Sequence, residues 1–451
     1  MELLGQLFGS VTVNEIFADR SRLQRMLDFE AALARAEAQV DVIPKSVVLP
    51  ITQQCRAEFF DLAALGEATV KAGNHAISIV KHLTELVGQH DEQAKRYVHW
   101  GATSQDVIDT GLMLQLRDAL SAIQTDLNRL CESLTRLAEQ HRSTPMVART
   151  LLQQAVPTVF GLKAAGWLDA LGRHRIRIQE LQTRAIVLQF GGAAGTLAML
   201  RDRGLDVAAA LAEELQLALP ALPWHSHRDR VVEVATTLGI LTGTLGKMAR
   251  DISLQMQTEV GEVFEPSGEG RGGSSTMPHK RNPITCEVVL AAAQRMPGLV
   301  GIMLAAMPQE HERSLGGWHA EWETLPEIVR VSAGALHHMV EMIAGLEVDP
   351  RRMRKNLELT HGLIFAEAVT AVLGKKVGKS KAHQILESAS RKSITEKKHL
   401  RDVLASDPQV GPHLSQEEIV SLFEPLNYTG VAETFIDRAI EASKSHAKAR
   451  G

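Results

Sequence analysis

Aromatic residues are scarce in this 451-residue chain, at 4% of positions, while Ala, Leu, Glu, Gln and Arg abound. Sheets draw on aromatic and β-branched side chains, so this composition sets a β fold aside and favours helices. Cysteine is nearly absent as well. Cys55, Cys131 and Cys286 are odd in number, far apart and outside any C-x-x-C, which excludes a disulfide framework and a zinc-ligand pattern and fits a reducing cytoplasm. No charge of one sign dominates: 49 Lys and Arg against 53 Asp and Glu leave a net charge of -4, so nothing recommends nucleic acid or an anionic membrane as a partner. The N-terminal MELLGQLFGSVTVNEIFADR lacks the basic flank and long apolar core of a secretion signal. The most apolar window, Val288 to Met307, is broken by Gln294, Arg295 and Pro297; it reads as a buried helix interrupted near its middle and not as a membrane span.

What is present centres on Gly272 to Pro283, GGSSTMPHKRNP, approached through EPSGEGR from Glu265 to Arg271. Gly261, Gly268, Gly270, Gly272 and Gly273 crowd the interval, and Pro278 and Pro283 remove backbone donors, so the stretch is a loop whose amides can face a ligand. Pro283 can open a helix, which would put Lys280 and Asn282 at an N-terminus where amides and dipole favour anions. Glycine richness alone would suggest a linker, but a linker has no need of Ser-Ser, Met, Lys and Asn packed so tightly. Gly268, Gly270 and Gly273 also satisfy G-x-G-x-x-G, yet no strand-like run precedes them and no G-K-[ST] follows, so that match is chance. The remaining reading is a serine loop that transfers a proton, with cationic and amide donors beside it for a carboxylate.

Elsewhere the pattern is helical. Leu112, Leu116, Leu120, Ile123, Leu127, Leu130, Leu134 and Leu137 recur at intervals of three and four, as do Val231 to Met256 and Leu325 to Leu346. With Phe160 to Leu188 and Ile284 to Met307 this makes five long helices, economically a bundle, and bundles of this length often continue their apolar surface between subunits. The expected division is an N-terminal helical domain over 1–108, the bundle over 109–355 and a small helical domain over 356–451. Pro145 to Pro157, PMVARTLLQQAVP, reads as an extended polar connection between two bundle helices. In HWGATSQD, small hydroxyl and amide groups precede a helix that Asp106 or Asp109 could cap. His75 by itself is an ordinary partly buried histidine. Trp318 and Trp322 serve as packing anchors, and Lys375, Lys376, Lys379 and Lys381 as a solvated face.

Gly273 to Pro283 matches, at every fixed position, the signature G-S-S-x-M-P-x-K-x-N-P, and so resembles the fumarase/aspartase superfamily. Thr103, Ser104 and Gln105 resemble its first motif. Arg149, Thr150, Gln153, Ala155 and Pro157 resemble its second, G-R-T-H-x-Q-x-A-x-P, with Ala148 in place of the Gly and Leu151 in place of the His. The resemblance implies an all-α fold of three helical domains around a central five-helix bundle, and a homotetramer with each active site shared between three subunits. It implies no cofactor and no metal, and proton transfer at a carbon next to a carboxylate. By the same resemblance Ser274 transfers the proton with Lys280 as its catalytic companion, while Thr103, Ser104, Gln105, Arg149, Thr150, Gln153, Ser275, Met277, Asn282 and His75 contact the substrate. The Arg149 guanidinium alternatively ties loops together.

In superfamily members that expel water or an amine, the second-motif histidine helps a poor leaving group depart. A carboxylate leaves unprotonated, since it is a stable anion at neutral pH. Leu151 therefore suits a reaction in which the substrate's own carboxylate is the group lost or, in reverse, added: lactonisation of a small tricarboxylate. A carbon-nitrogen lyase of the superfamily is the alternative, and a non-catalytic protein on the same scaffold a third reading.

Overall fold

The computed structural model describes residues 4–268, 272–273, 277 and 279–448. Its principal helices are α1 (Asp19–Gln39), α2 (Leu62–Ala72), α3 (His75–His90), α4 (Ser104–Gln140), α5 (Phe160–Ala185), α6 (Asp229–Gln255), α7 (Ile284–Ala306), α8 (Gly317–Ala344), α9 (Ala366–Val377) and α10 (Lys379–Glu396). The five long segments expected from the sequence are α4 to α8, and the chain is all-α. Their stripes are buried: Leu116, Leu120, Ile123, Leu127, Leu130 and Leu134 on α4, Val234, Leu238, Leu241, Leu245 and Ile252 on α6, and Leu325, Ile328, Leu336 and Met339 on α8. Cutting one such leucine to alanine costs about 2–5 kcal/mol, through lost burial and the cavity left behind.

Two compact units make up the chain. The first comprises Met1–Leu127, His174–Gly246 and Val288–His338, the second Asn128–Arg173, Lys247–Glu287 and Met339–Gly451. Each draws on three separate stretches, a division of another kind from the consecutive segments 1–108, 109–355 and 356–451. Within the first unit, Thr242 of α6 and Ser332 of α8 share a hydrogen bond of 2.9 Å, and a His174 ring nitrogen of α5 lies 2.9 Å from the Thr244 hydroxyl of α6. Gly246 lets α6 approach α7, because a Cβ there would stand 2.6 Å from the Ala293 methyl.

In the second unit, the stretch expected as an extended connection is a β-hairpin. Strand β1 (Pro145–Thr150) pairs antiparallel with β2 (Gln153–Val159), with a bulge between Val147 and Arg149. Val147 anchors it by burying its side chain in a cluster that includes Phe365, Val369, Ile385 and Leu404. The two-residue turn consists of Leu151 and Leu152, with φ of 50° and 65°. Such a turn needs positive φ at both positions, which normally selects Asn-Gly; two leucines hid the hairpin from sequence reading.

A second expectation fails at α7. The helix runs unbroken from Ile284 through Pro297 to Ala306, and only 28% of its most apolar window is buried. It is neither interrupted nor a buried core helix. Ile302 and Leu304 stand exposed, with no other described segment covering that face.

Candidate active site

The turn at the head of α4 is built around one carboxylate. Asp106 lies in the first turn and reaches back to accept from the Thr103 N–H at 3.0 Å, closing the helix start as a cap. It accepts as well from the Gly191 and Gly192 N–H groups at 3.0 and 2.9 Å and from Gln189 Nε2 at 3.0 Å, and the His225 ring nitrogen sits 3.1 Å away. Two stretches distant in sequence, Gln189 to Gly192 and His225, are thereby tied to the first motif.

One helical turn on, Asp109 holds a second centre. Arg228, fully buried, donates to both Asp109 oxygens at 2.7 and 3.1 Å and to Glu321 at 3.0 and 3.1 Å, and it lies over the Trp224 ring at 4.9 Å. Burial disfavours its charge, but Asp109 and Glu321 overcome that and hold the guanidinium protonated more firmly than usual. Burial in turn pushes the Glu321 carboxyl up, against the pull of Arg228. Trp318 Nε1 donates to Asp109 at 3.1 Å, which confirms its anchoring role.

Gln105 is 0% exposed. Its Nε2 donates to the His225 carbonyl at 2.7 Å and to Asp109 at 3.1 Å, while its Oε1 accepts from Arg313 at 3.2 Å. The amide thus fixes the turn from behind, and the partly exposed Thr103 and Ser104 are what the turn presents outward. His75 lies elsewhere in this unit, in a cavity with Arg22 and Trp322.

The second and third motifs fall in the second unit. On β1, Arg149 makes a two-pronged pair with Glu262, at 2.9 and 2.7 Å, and Asn356 donates to the same carboxylate at 2.8 Å. Glu262 is wholly buried, so in this chain the guanidinium secures the hairpin, the alternative left open by the sequence. Thr150 and Gln153 flank the turn and are exposed, as is Leu151 at 97%. Burial pulls the Lys163 ammonium below its usual range against the attraction of Asp251, with Lys247 and Arg149 adding to the depression; sequence reading passed over this cation.

The glycine-rich loop is stapled at its base. Asn282 N–H donates to the Gly272 carbonyl at 3.0 Å, Gly273 bridges to Arg281, and Gly272 adopts a φ of 68° that favours glycine. Arg281 donates to Glu347 at 2.8 Å and to the Glu265 carbonyl at 2.6 Å, and lies 4.7 Å over Phe264. Helix α7 starts at Ile284, as Pro283 suggested, but its N-terminus is not open to a ligand. The Thr285 and Cys286 N–H groups donate to the buried Glu265 carboxylate at 3.0 and 2.9 Å, so a side chain of the protein already takes the anion position there. Met277 and Lys280 are exposed and Asn282 partly so. Ser274 and Ser275 lie outside the described residues.

Among the described residues no group of His, Cys, Asp and Glu side chains is arranged to hold a metal ion.

Residues 11–298 match the family described as lyase, and residues 362–439 match the adenylosuccinate lyase C-terminus. A 3-carboxy-cis,cis-muconate cycloisomerase of Pseudomonas aeruginosa is 55% identical over 439 residues, spanning 97% of this chain and 96% of that protein. One from Acinetobacter baylyi is 46% identical, over 99% of this chain and 100% of its own length. The crystal structure of 3-carboxy-cis,cis-muconate lactonizing enzyme from Pseudomonas putida superposes with a TM-score of 0.96 at 52% identity, covering 99% of this chain and 100% of that one. The chain therefore belongs to the lyase family of the fumarase/aspartase superfamily, in the group that contains the 3-carboxy-cis,cis-muconate cycloisomerases.

Proposed function

We propose that this chain converts 3-carboxy-cis,cis-muconate to 4-carboxymuconolactone, in the protocatechuate branch of the β-ketoadipate pathway. The observation that carries the reading is at the hairpin turn. Where members that expel amines or water place a histidine, this chain has Leu151, almost fully exposed and unable to move a proton. Lactonisation needs no acid there. A substrate carboxylate oxygen adds to one carbon of a C=C bond, and the π electrons move to the neighbouring carbon. That carbon is next to a second carboxylate, which takes up the charge as an aci-carboxylate dianion. Holding the reactive conformer makes such a ring closure fast.

Ser274 then delivers a proton to that carbon and regains one from solvent, with Lys280 and Asn282 stabilising the doubly charged carboxylate. Thr103, Ser104, Thr150, Gln153, Ser275 and Met277 face the substrate, while Gln105 and Arg149 act from behind by fixing the two turns. The active site is completed by three subunits of a homotetramer, for which the uncovered apolar face of α7 supplies a seam. Three free, buried cysteines support a cytoplasmic location.

Purified protein should bleach the conjugated-diene absorbance of 3-carboxymuconate without added nucleotide or metal, at a rate unchanged by EDTA. Inertness on this substrate with cleavage of adenylosuccinate would reassign it to the carbon-nitrogen lyases. Ser274→Ala should lower kcat by roughly a hundred- to ten-thousandfold with the melting temperature unchanged; near-normal turnover would take the proton transfer away from that residue.

A further inference from the structure

Two arginines that sequence or burial singles out are spent inside the protein, Arg149 on Glu262 and Arg228 on Asp109 and Glu321. Arg313, exposed in the loop ahead of α8, is not. Its Nε donates to Gln105 Oε1 at 3.2 Å and its Nη2 to the Ala193 carbonyl at 3.1 Å, so two neutral acceptors orient the guanidinium without cancelling its charge. Glu310 gives its carboxylate to the Leu315 N–H, and Glu312 forms no ion pair among the described residues.

Through Ala193, Arg313 leans on the Gly191–Gly195 loop. Gly191 and Gly192 turn their N–H groups inward to Asp106, whereas those of Ala193, Ala194 and Gly195 meet no acceptor among the described residues. Gly192 and Gly195 have φ of 68° and 81°, the left-handed geometry from which backbone cradles for anions are built.

His225 borders the same loop. Gly191 admits its ring, since a Cβ there would stand 2.7 Å from Cε1, and a Cβ at Gly195 would stand 3.8 Å from Nδ1. The Asp106 carboxylate can only accept, so the ring's Nε2 carries a proton toward it, and the Gln105 amide holds the His225 carbonyl. Nδ1 has no partner among the described residues. It is not sealed in: the side chain keeps 5% of its surface, and Nδ1 itself reaches solvent. When the ring takes a second proton, this nitrogen can donate to an anion.

We propose that the Ala193–Gly195 amides, the Arg313 guanidinium and His225 Nδ1 form a subsite for one carboxylate of the substrate, the one that takes no part in ring closure or proton transfer. The inference rests on the reading of the first motif as part of the substrate site. It accounts for how a chain of net charge -4 receives a triply charged acid: the extra carboxylate meets a cation that no acid of the chain neutralises. The Asp106 carboxylate beneath the loop is already met by five donors, which blunts its repulsion of an incoming anion.

Tricarballylate and glutarate differ by a single carboxylate on the middle carbon, so their affinities, measured by calorimetry on the full-length protein, isolate the subsite. The parent should bind tricarballylate about tenfold or more tighter. Arg313→Met should bring the two acids within about threefold of each other. It should also raise KM for 3-carboxymuconate about tenfold with a smaller change in kcat. Two variants separate contact from support at His225. His225→Asn puts an amide N–H where Nδ1 stands and gives up Asp106; His225→Gln reaches Asp106 as Nε2 does and lacks the outer donor. With both folded by their melting curves, Asn should keep more of the preference for tricarballylate than Gln. The inference is overturned if the parent binds the two acids alike, if Arg313→Met keeps the preference, or if Gln preserves it better than Asn. These ratios require no turnover, so a parent inert on 3-carboxymuconate would refute the proposed reaction and leave the subsite to be decided by binding alone.

Discussion

Around Asp106 and Arg228 almost every buried polar atom has a partner, whereas α1, in the same unit, carries three buried carboxylate oxygens with none: Glu30 Oε2 and both oxygens of Glu37. At the first place five donors converge on Asp106 and two acids share one guanidinium. At the second, Glu30 Oε1 finds His99 at 2.6 Å and the rest goes unanswered. The first cluster fixes the turn that bears Thr103 and Ser104, where a displacement of an ångström would misplace the proposed substrate contacts. On α1 no such demand exists, and the fold accommodates a stray acid by keeping it protonated. Buried charge is thus matched by partners where it sets the geometry of the proposed site, whereas Glu37, away from it, is held neutral by burial.

The contrast breaks hardest at Arg228. Arg228→Met leaves Asp109 and Glu321 buried together without a cation, and stability should fall by about 3–5 kcal/mol, read from the urea midpoint. Replacing all three charged groups, as Arg228→Met with Asp109→Leu and Glu321→Met, should recover part of that loss, because no unpaired charge then stays buried; recovery is only partial because Trp318 Nε1 loses its acceptor. If the single variant unfolds at the parent's midpoint, the cluster is not what holds these segments together. A smaller loss is expected for Asp106→Asn. The amide keeps one acceptor oxygen and brings two donors toward N–H groups of Thr103 and Gly192, which should cost about 2–3 kcal/mol. Turnover should fall beyond the stability loss, measured at a temperature where both proteins are fully folded.

Neither cluster was legible in the sequence. Arg228 meets its acids 93 and 119 residues away, and Arg149 meets Glu262 across 113, so no local spacing announces either pair. What could be read was periodic or contiguous. The repeat of apolar residues at intervals of three and four located α4, α6 and α8 because burial of one face is written into every turn. The resemblance picked out Thr103 to Gln105, Arg149 to Pro157 and Gly273 to Pro283 because each motif is a short continuous run. It did not reveal that Gln105 and Arg149 spend their side chains inside the protein, nor that Glu265 occupies the N-terminus of α7. The hairpin went unread for a different reason. Its turn residues, Leu151 and Leu152, are 97% and 77% exposed and carry positive φ without the glycine or asparagine that normally signals such a turn.

Glu37 offers the gentlest test. Burial, reinforced by the charge of Glu30, raises its pKa from 4.5 to about 9. The native state then keeps a proton that the unfolded chain releases, so between those two values unfolding is favoured as pH rises, by at most about 1.4 kcal/mol per unit for this one group. The contribution is most favourable below pH 4.5 and is spent by pH 9. Glu37→Met fills the same space without a titrating group and should stabilise the protein at pH 8 by about 1–2 kcal/mol. The gain should shrink as the pH falls through 4.5, where the unfolded chain's acid also takes up its proton. Denaturation midpoints of parent and variant across that range decide it: parallel curves would mean that Glu37 already has a partner, and that the first unit has no uncompensated acid to set against Arg228.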